Sequence, residues 1–191
     1  MIVEFSVLDT ELYSVEHISD SAFDMSLIKN FETNDNSRGL EYYLKDAALF
    51  DEENNLSRTY LIKDKATQEL AGYFSLRTGL ITRQIEDEKF DSIPAIELAN
   101  FAINTNYKKN HPDIKLLGFY IFKNFIIPLA ECFCKYIGIH ALYIYALPND
   151  RLIEHYSKMG FSRLPAEQEQ FVQFHVKPKY DDGCIFMYQI L

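Results

Sequence analysis

Residues 149–161 read NDRLIEHYSKMGF, and what stands on either side of them decides the fold. Asn149 and Asp150 carry side-chain oxygens that satisfy the free N–H groups of a first helical turn, so either can cap a short helix. Gly160 ends it, as glycine commonly does just past a helix. HALYIYAL (140–147) precedes the helix, with apolar residues on both faces, the pattern of a strand covered on both sides. FSRL (161–164) opens a further strand. The local unit is therefore strand, helix, strand.

Working upstream, the sequence predicts a long apolar helix from Leu117 to Ile137, bent or interrupted at Pro128 and stopped by Gly138. Before it lies a basic loop with Lys108, Lys109, His111 and Lys115. Before that, IPAIELANFAIN (93–104) reads as another two-sided strand. Residues 57–82 read as a hairpin, with strands at 58–63 and 70–81, followed by a charged loop, RQIEDEKFDS (83–92). In SRGLEYYLKDAALFDEEN (37–54), Leu40, Tyr43, Leu44, Ala47 and Ala48 recur at helical spacing behind Ser37 as a cap. SAFDMSLIKNF (21–31) reads as a helix and IVEFSVL (2–8) as a first strand. At the other end, EQFVQFHV (169–176) continues or pairs with the strand at 161–164, and CIFMYQIL (184–191) is a terminal strand. The predicted fold class is α/β: one mixed sheet with helices on both faces, in a single domain over residues 1–191.

Composition bounds the function. Hydrophobic residues make up 48% of the 191-residue chain, enough for a real core. The net charge is −9, and residues 1–100 hold 20 acidic side chains against 9 basic ones. That balance argues against duplex nucleic acid as a partner, whose affinity rests on neutralised phosphates. It suits a cationic or amine-bearing substrate. Cys132 and Cys134 stand two apart in a helical pattern and point away from each other, and Cys184 is distant; the thiols read as buried and reduced, which predicts a cytoplasmic protein. The acidic start of the chain lacks the positive region of a signal peptide. Lys123, Asn124, Pro128, Glu131 and Lys135 break the most apolar run, which argues against a membrane span.

The histidines show no metal-ligand spacing, and His155 is expected on the solvent side of its helix. No phosphate-binding P-loop, dinucleotide fingerprint, nucleophile elbow or HExxH motif is present. Glu97 shares a strand face with Ala95, Ala99, Phe101 and Ile103; a carboxylate there is partly desolvated and suited to act as a base. Asn100 projects from the other face, either as a hydrogen-bonded buried amide or as part of an acceptor site. The helix from Leu117 is apolar nearly all round, which allows burial on two sides or a homodimer contact.

Three passages resemble the GNAT superfamily of acetyl-CoA-dependent N-acetyltransferases. IPAIELANFAIN is similar to the central strand that ends at that family's cofactor loop. Leu117-Gly118 matches the end of its Arg/Gln-x-x-Gly-x-Gly/Ala motif. NDRLIEHYSKMGF matches its pattern of Asn, then Tyr seven residues on, then a positive residue and Gly-Phe. The chain departs from the motif at Asp113, where Arg or Gln is expected, and at Leu116, where the first glycine is expected; an inserted NHPD lengthens the loop. The hairpin region resembles the acetyltransferase toxins of toxin–antitoxin pairs.

The resemblance implies a GNAT-like mixed sheet and an enzyme that transfers acetyl from acetyl-CoA to a primary amine by direct attack. It implies that Lys115 and the helix start, Leu117, Gly118, Phe119 and Tyr120, hold the pyrophosphate. It further implies that main-chain N–H groups of Phe101, Ala102 and Ile103 polarise the thioester carbonyl. Asn149 would bond the pantetheine arm, Tyr156 would protonate the leaving thiolate, and Glu97 would take the proton of the amine; no metal is required. Charged tRNA, the acceptor of the toxin-like subset, is disfavoured by the acidic balance. The departures in the motif favour an alternative, a catalytically inactive GNAT-fold binding or regulatory protein.

Overall fold

The structure, a computed structural model, describes residues 9–20, 25–86, 89–172 and 183–191. The strands are β1 (Tyr13–His17), β2 (Arg58–Asp64), β3 (Leu70–Glu86), β4 (Lys89–Ile103), β5 (Ala141–Ala146), β6 (Ser162–Arg163) and β7 (Ile185–Ile190). They form one seven-stranded mixed sheet in the order β1-β2-β3-β4-β5-β7-β6, flanked by helices. Contacts divide the chain into two compact units, Met1–Arg77 with Asn100–Leu129, and Thr78–Ala99 with Ala130–Leu191.

In the first unit, β1 pairs antiparallel with β2 from Tyr13↔Asp64 to His17↔Tyr60, and β2 pairs antiparallel with β3 through Lys63↔Leu70. The helices are α1 (Met25–Lys29), α2 (Arg38–Tyr42), α3 (Ala48–Glu53) and α4 (Thr105–Asn110). A π turn, Tyr43–Ala47, joins α2 to α3. Leu44, Ala48, Leu61, Leu70, Tyr73 and Ala102 form the centre of its core, with Phe31 fully enclosed. The helical spacing of Leu44 and Ala48 is what turns that face inward.

Gly72 is required by a close approach: a Cβ there would lie 2.8 Å from the Ala102 carbonyl oxygen. Thus β3 lies tight against the end of β4.

The long helix is α5 (Leu117–Ile121), a π turn (Phe122–Ile126) and α6 (Ile127–Cys134). Pro128 does not end it. The Ile127 N–H donates to the Phe122 carbonyl, an i to i−5 bond, so the turn before the proline is already widened. The helix stops at Cys134, and Gly138 is not its cap, since among the described glycines only Gly160 and Gly183 take positive φ. Residues 117–134 have a mean hydropathy of 1.4, apolar enough to cross a membrane. Leu117, Ile121, Phe122, Phe125, Ile126 and Leu129 are instead buried within the protein.

In the second unit, β5 pairs parallel with β4 and antiparallel with β7, and β6 pairs with β7. Its helices are α7 (Asp150–Lys158) and α8 (Ala166–Phe171). Ala95, Ala141, Tyr143 and Phe186 pack with Ile81 and Val172. Two elements differ from expectation. Residues 83–86 and 89–92 are not loop but the outer parts of β3 and β4, where charged residues pair across the strands, as in the ion pair of Arg83 with Asp91 at 2.9 Å. Residues 169–171, expected in a strand, lie in the helix Ala166–Phe171, with Glu167 and Glu169 in its first turn, where the helix dipole favours acids. The expected strand at 2–8, part of the helix at 21–31 and the remainder of 169–176 lie outside the described residues.

Candidate active site

Candidate residues occur in each unit. In the first, β4 ends next to Asn104, a buried amide that fixes the start of α4. Its Oδ1 accepts from the Asn106 and Glu32 N–H groups, and its Nδ2 donates to the Leu70 carbonyl at 2.8 Å. Asn104 is thus both the cap of α4 and a latch to β3. At the far end of α4, His111 is paired with Glu69, which also accepts from Asn110. These bonds hold the Glu69 carboxyl below the usual carboxylate range, His111 contributing most. The Tyr107 phenol donates to Asp64 and lies 3.2 Å from the Tyr13 phenol. Burial and the neighbouring carboxylate push the Tyr107 phenol strongly up, so it stays a donor. The loop that carries Lys115 is therefore anchored at its root by side-chain bonds to β2 and β3.

Leu116, between that loop and α5, takes φ 57° and ψ 28°, the left-handed conformation. It is 72% exposed. Among the described residues no side chain caps α5. Lys115, Leu117 and Tyr120 meet around a cavity of about 390 Å³ whose walls include Tyr13, Asp64 and Ile114. Gly118 and Phe119 are half-buried beside them, with the Lys123 ammonium 5.9 Å from the Phe119 ring centre. Lys108, Lys109 and Asp113 are exposed. Ala102 is buried and Phe101 and Ile103 half-buried. The Asn100 amide donates to Ser75 Oγ at 2.9 Å, which supports its reading as a bonded polar group.

In the second unit, the parallel ladder between β4 and β5 comprises Ala95↔Ala141, Ile96↔Leu142 and Glu97↔Tyr143, and ends there. Glu97 is 4% exposed, and its Oε2 accepts the Tyr143 phenol at 3.0 Å. Sequence reasoning missed Tyr143, because nothing in HALYIYAL distinguishes it from Tyr145. Asn149 caps α7: its Oδ1 accepts from the Arg151 and Leu152 N–H groups at 3.0 and 3.3 Å.

Tyr156 is buried, with Phe161 edge-on at 5.7 Å. Burial pushes its phenol up to about 12. The phenol makes no hydrogen bond to another described residue. His155 is half-buried rather than exposed, and burial, helped by Lys158, lowers its pKa. Among the described residues no group of three His, Cys, Asp or Glu is placed to hold a metal ion.

No protein-family model and no curated protein matches the chain. Solved structures do. AtaTR bound with acetyl-CoA superposes with a TM-score of 0.64 at 19% identity, over 95% of this chain and 94% of that one. A tyrosine-to-phenylalanine mutant of the AtaT toxin, bound to the C-terminus of the antitoxin AtaR and acetyl-CoA, gives 0.64 at 18% identity, over 93% and 92%. AtaT complexed with acetyl-methionyl-tRNAfMet gives 0.62 at 17% identity, over 93% and 94%.

The chain has the GNAT fold. Leu116 adopts a backbone conformation that glycine enters without steric cost. Gly118 follows at the first turn of α5. Tyr156 lies seven residues after Asn149, the α7 cap.

Proposed function

We propose that this chain is an acetyl-CoA-dependent N-acetyltransferase. The observation that carries the reading is the GNAT fold over 95% of the chain, shared with a protein crystallised with acetyl-CoA. Residues 1–191 then act as one acyltransferase domain.

The uncapped N–H groups of α5 and the ammonium of Lys115 bind the pyrophosphate, with Leu117, Gly118, Phe119 and Tyr120 forming the cradle. Main-chain N–H groups of Phe101, Ala102 and Ile103 polarise the acetyl carbonyl. Glu97 takes a proton from the acceptor ammonium, leaving a free amine. The nitrogen attacks the carbonyl carbon, an N–C bond forms, and the C–S bond breaks. The leaving thiolate takes the phenol proton of Tyr156, and the surplus proton on the new amide nitrogen restores the phenol. Asn149 serves the pantetheine arm with the amide group its cap does not use.

The unpartnered phenol supports the role of Tyr156, since its proton is committed to no protein acceptor among the described residues. Acetyl-CoA should raise the melting temperature at concentrations well above a micromolar-range Kd. No shift there would favour the second reading, an inactive GNAT-fold binding protein, which the Asp113 and Leu116 departures from the motif support.

The acceptor is a primary amine. The α-amine of a charged tRNA is the first to assay, because AtaT is found with acetyl-methionyl-tRNAfMet. The net charge of −9 supports a small or protein amine instead, so both classes belong in the assay. By the same kinship we propose an antitoxin partner, testable by co-purification with a neighbouring gene product. A homodimer through the long helix would show as a light-scattering mass of twice 22.3 kDa. The three cysteines form no disulfide, which supports a cytoplasmic setting.

A further inference from the structure

The cavity at the start of α5 has a wall that acetyl transfer does not use. Lys115, Leu117 and Tyr120 form the cofactor side, while Glu11, Leu12, Tyr13 and Asp64 line it from the approach to β1 and the end of β2. Both sides belong to the first unit. A volume of about 390 Å³ is the size of a small-molecule site.

The polar atoms of this wall are acceptors. Tyr107 gives its phenol proton to Asp64, so the bond between the Tyr107 and Tyr13 oxygens, 3.2 Å long, takes its proton from Tyr13. Tyr13 is 3% exposed, and its oxygen accepts no hydrogen bond from a described residue. A buried oxygen with unused lone pairs thus lines a cavity. Asp64 is buried too. Burial disfavours its charge, but the Tyr107 phenol and the Ala66 and Thr67 N–H groups outweigh burial and hold the carboxyl below the usual range, so it is an anion at neutral pH. Glu11, exposed, adds a second carboxylate, and Leu12, Ile114 and Leu117 supply apolar surface.

We infer that this wall is a binding site for an aliphatic primary amine in its ammonium form. An ammonium has donors and no acceptor, the complement of a wall of acceptors. Its N–H groups bond Tyr13 Oη and Asp64, its carbon chain lies on the apolar residues, and the second ammonium of a diamine meets Glu11. An anion would face two carboxylates against the single charge of Lys115. The site does not depend on acetyl transfer, since Glu11, Tyr13 and Asp64 have no role there.

The test is calorimetry on the full chain without acetyl-CoA, in about 0.15 M salt to screen attraction to exposed acids. Putrescine should bind saturably at a single site, butylamine more weakly, and butanol and butyrate not at all. Asp64→Asn keeps the oxygen that accepts from Ala66 and Thr67 but removes the charge, and should weaken putrescine by about tenfold or more. Tyr13→Phe keeps the ring, removes the acceptor oxygen, and should cost about tenfold. Glu154→Gln, an exposed acid of the second unit, should change nothing. No putrescine binding, or equal binding of butanol, overturns the inference. Equal losses in Glu154→Gln and Asp64→Asn would mark diffuse attraction to an acidic chain and also overturn it. If Asp64→Asn proves unstable, Tyr13→Phe decides alone: wild-type affinity there refutes the site. Lys115→Ala separates this site from the cofactor reading. It should lower acetyl-CoA affinity and leave or raise that for putrescine. Unchanged acetyl-CoA affinity would count against the cofactor reading only, whereas weaker putrescine binding would count against the amine site.

Discussion

Leu116 is the residue on which the chain turns into α5, and its substitution gives a measurable ordering. A left-handed backbone costs a residue with a Cβ about 1–2 kcal/mol. At φ 57° Leu116 bears that cost, and with 72% of its surface exposed it recovers little from burial. Complete burial of a leucine side chain yields about 1.5–3 kcal/mol, so its covered quarter contributes roughly 0.5 kcal/mol. Replacement by glycine relieves the strain, loses that contact, and adds unfolded-state freedom costing about 0.5–1 kcal/mol. The net is a small stabilisation, near 0.3 kcal/mol, or about 1 °C in melting temperature for a chain of this size.

The ranking across substitutions is more telling than any single value. Asparagine tolerates the left-handed region and avoids the glycine entropy, so Leu116→Asn should match or exceed wild type. Leu116→Val puts a β-branched residue where it is a genuine outlier and should lose on the order of 1 kcal/mol. Urea midpoints for the four proteins, with their slopes held in common, give the order Gly and Asn at or above Leu, and Val below. An order that instead follows hydrophobicity, with Val level with Leu and Gly lowest, would mean that this position is read by its side chain and not by its φ. The left-handed turn would then not be what Leu116 contributes to the loop. Acetyl-CoA affinity should be kept or improved in Leu116→Gly, because the backbone shape of the motif is unchanged.

Other outcomes depend on single contacts. Tyr156→Phe should reduce turnover by about 10²–10⁴-fold while the acetyl-CoA thermal shift persists; loss of both together would mark a structural tyrosine. Asn149→Ala removes the cap of α7 and should cost about 1 kcal/mol in urea denaturation. Gly72→Ala places a methyl 2.8 Å from the Ala102 carbonyl oxygen, backbone against backbone, and should lower the melting temperature more than Gly138→Ala, where nothing lies within 4 Å. Tyr60 and Tyr156 are both pushed up to about 12 by burial. Below pH 10 both folded and unfolded phenols are protonated and this contribution is intact. Between pH 10 and 12 the unfolded chain ionises first, so stability should fall across that window, and Tyr156→Phe should blunt the fall.

Much of the sheet was legible because two-sided apolar runs are hard to read otherwise. HALYIYAL and IPAIELANFAIN are β5 and the inner part of β4, and the helix of NDRLIEHYSKMGF starts and stops at its predicted cap and glycine. The failures share a cause. Residues 83–92 are charged, and charge reads as loop, yet a hairpin extending past its core keeps pairing with polar side chains on both strands. Pro128 signals a break, but the widened turn at Phe122–Ile126 absorbs it, and that turn depends on packing that no local pattern carries. Gly138 reads as a stop because position alone cannot show φ.

The site divides in the same way. Candidates marked by type and spacing, such as Tyr156 and Asn149, were visible. What was hidden is backbone conformation and cross-strand reach. In sequence, Leu116 counts as a lost glycine and weakens the case for a cofactor loop. In the structure the same residue takes the left-handed conformation before α5, one that glycine would adopt at less cost. Tyr143 shows the converse: an unremarkable strand tyrosine becomes specific only because β3 presents a glycine, Gly79, to its phenol. A motif compares residues at positions, whereas a site needs atoms in places. A leucine forced to a glycine's φ can still form the turn, while one methyl on Gly79 would remove a hydrogen bond from Glu97, eighteen residues away along the chain.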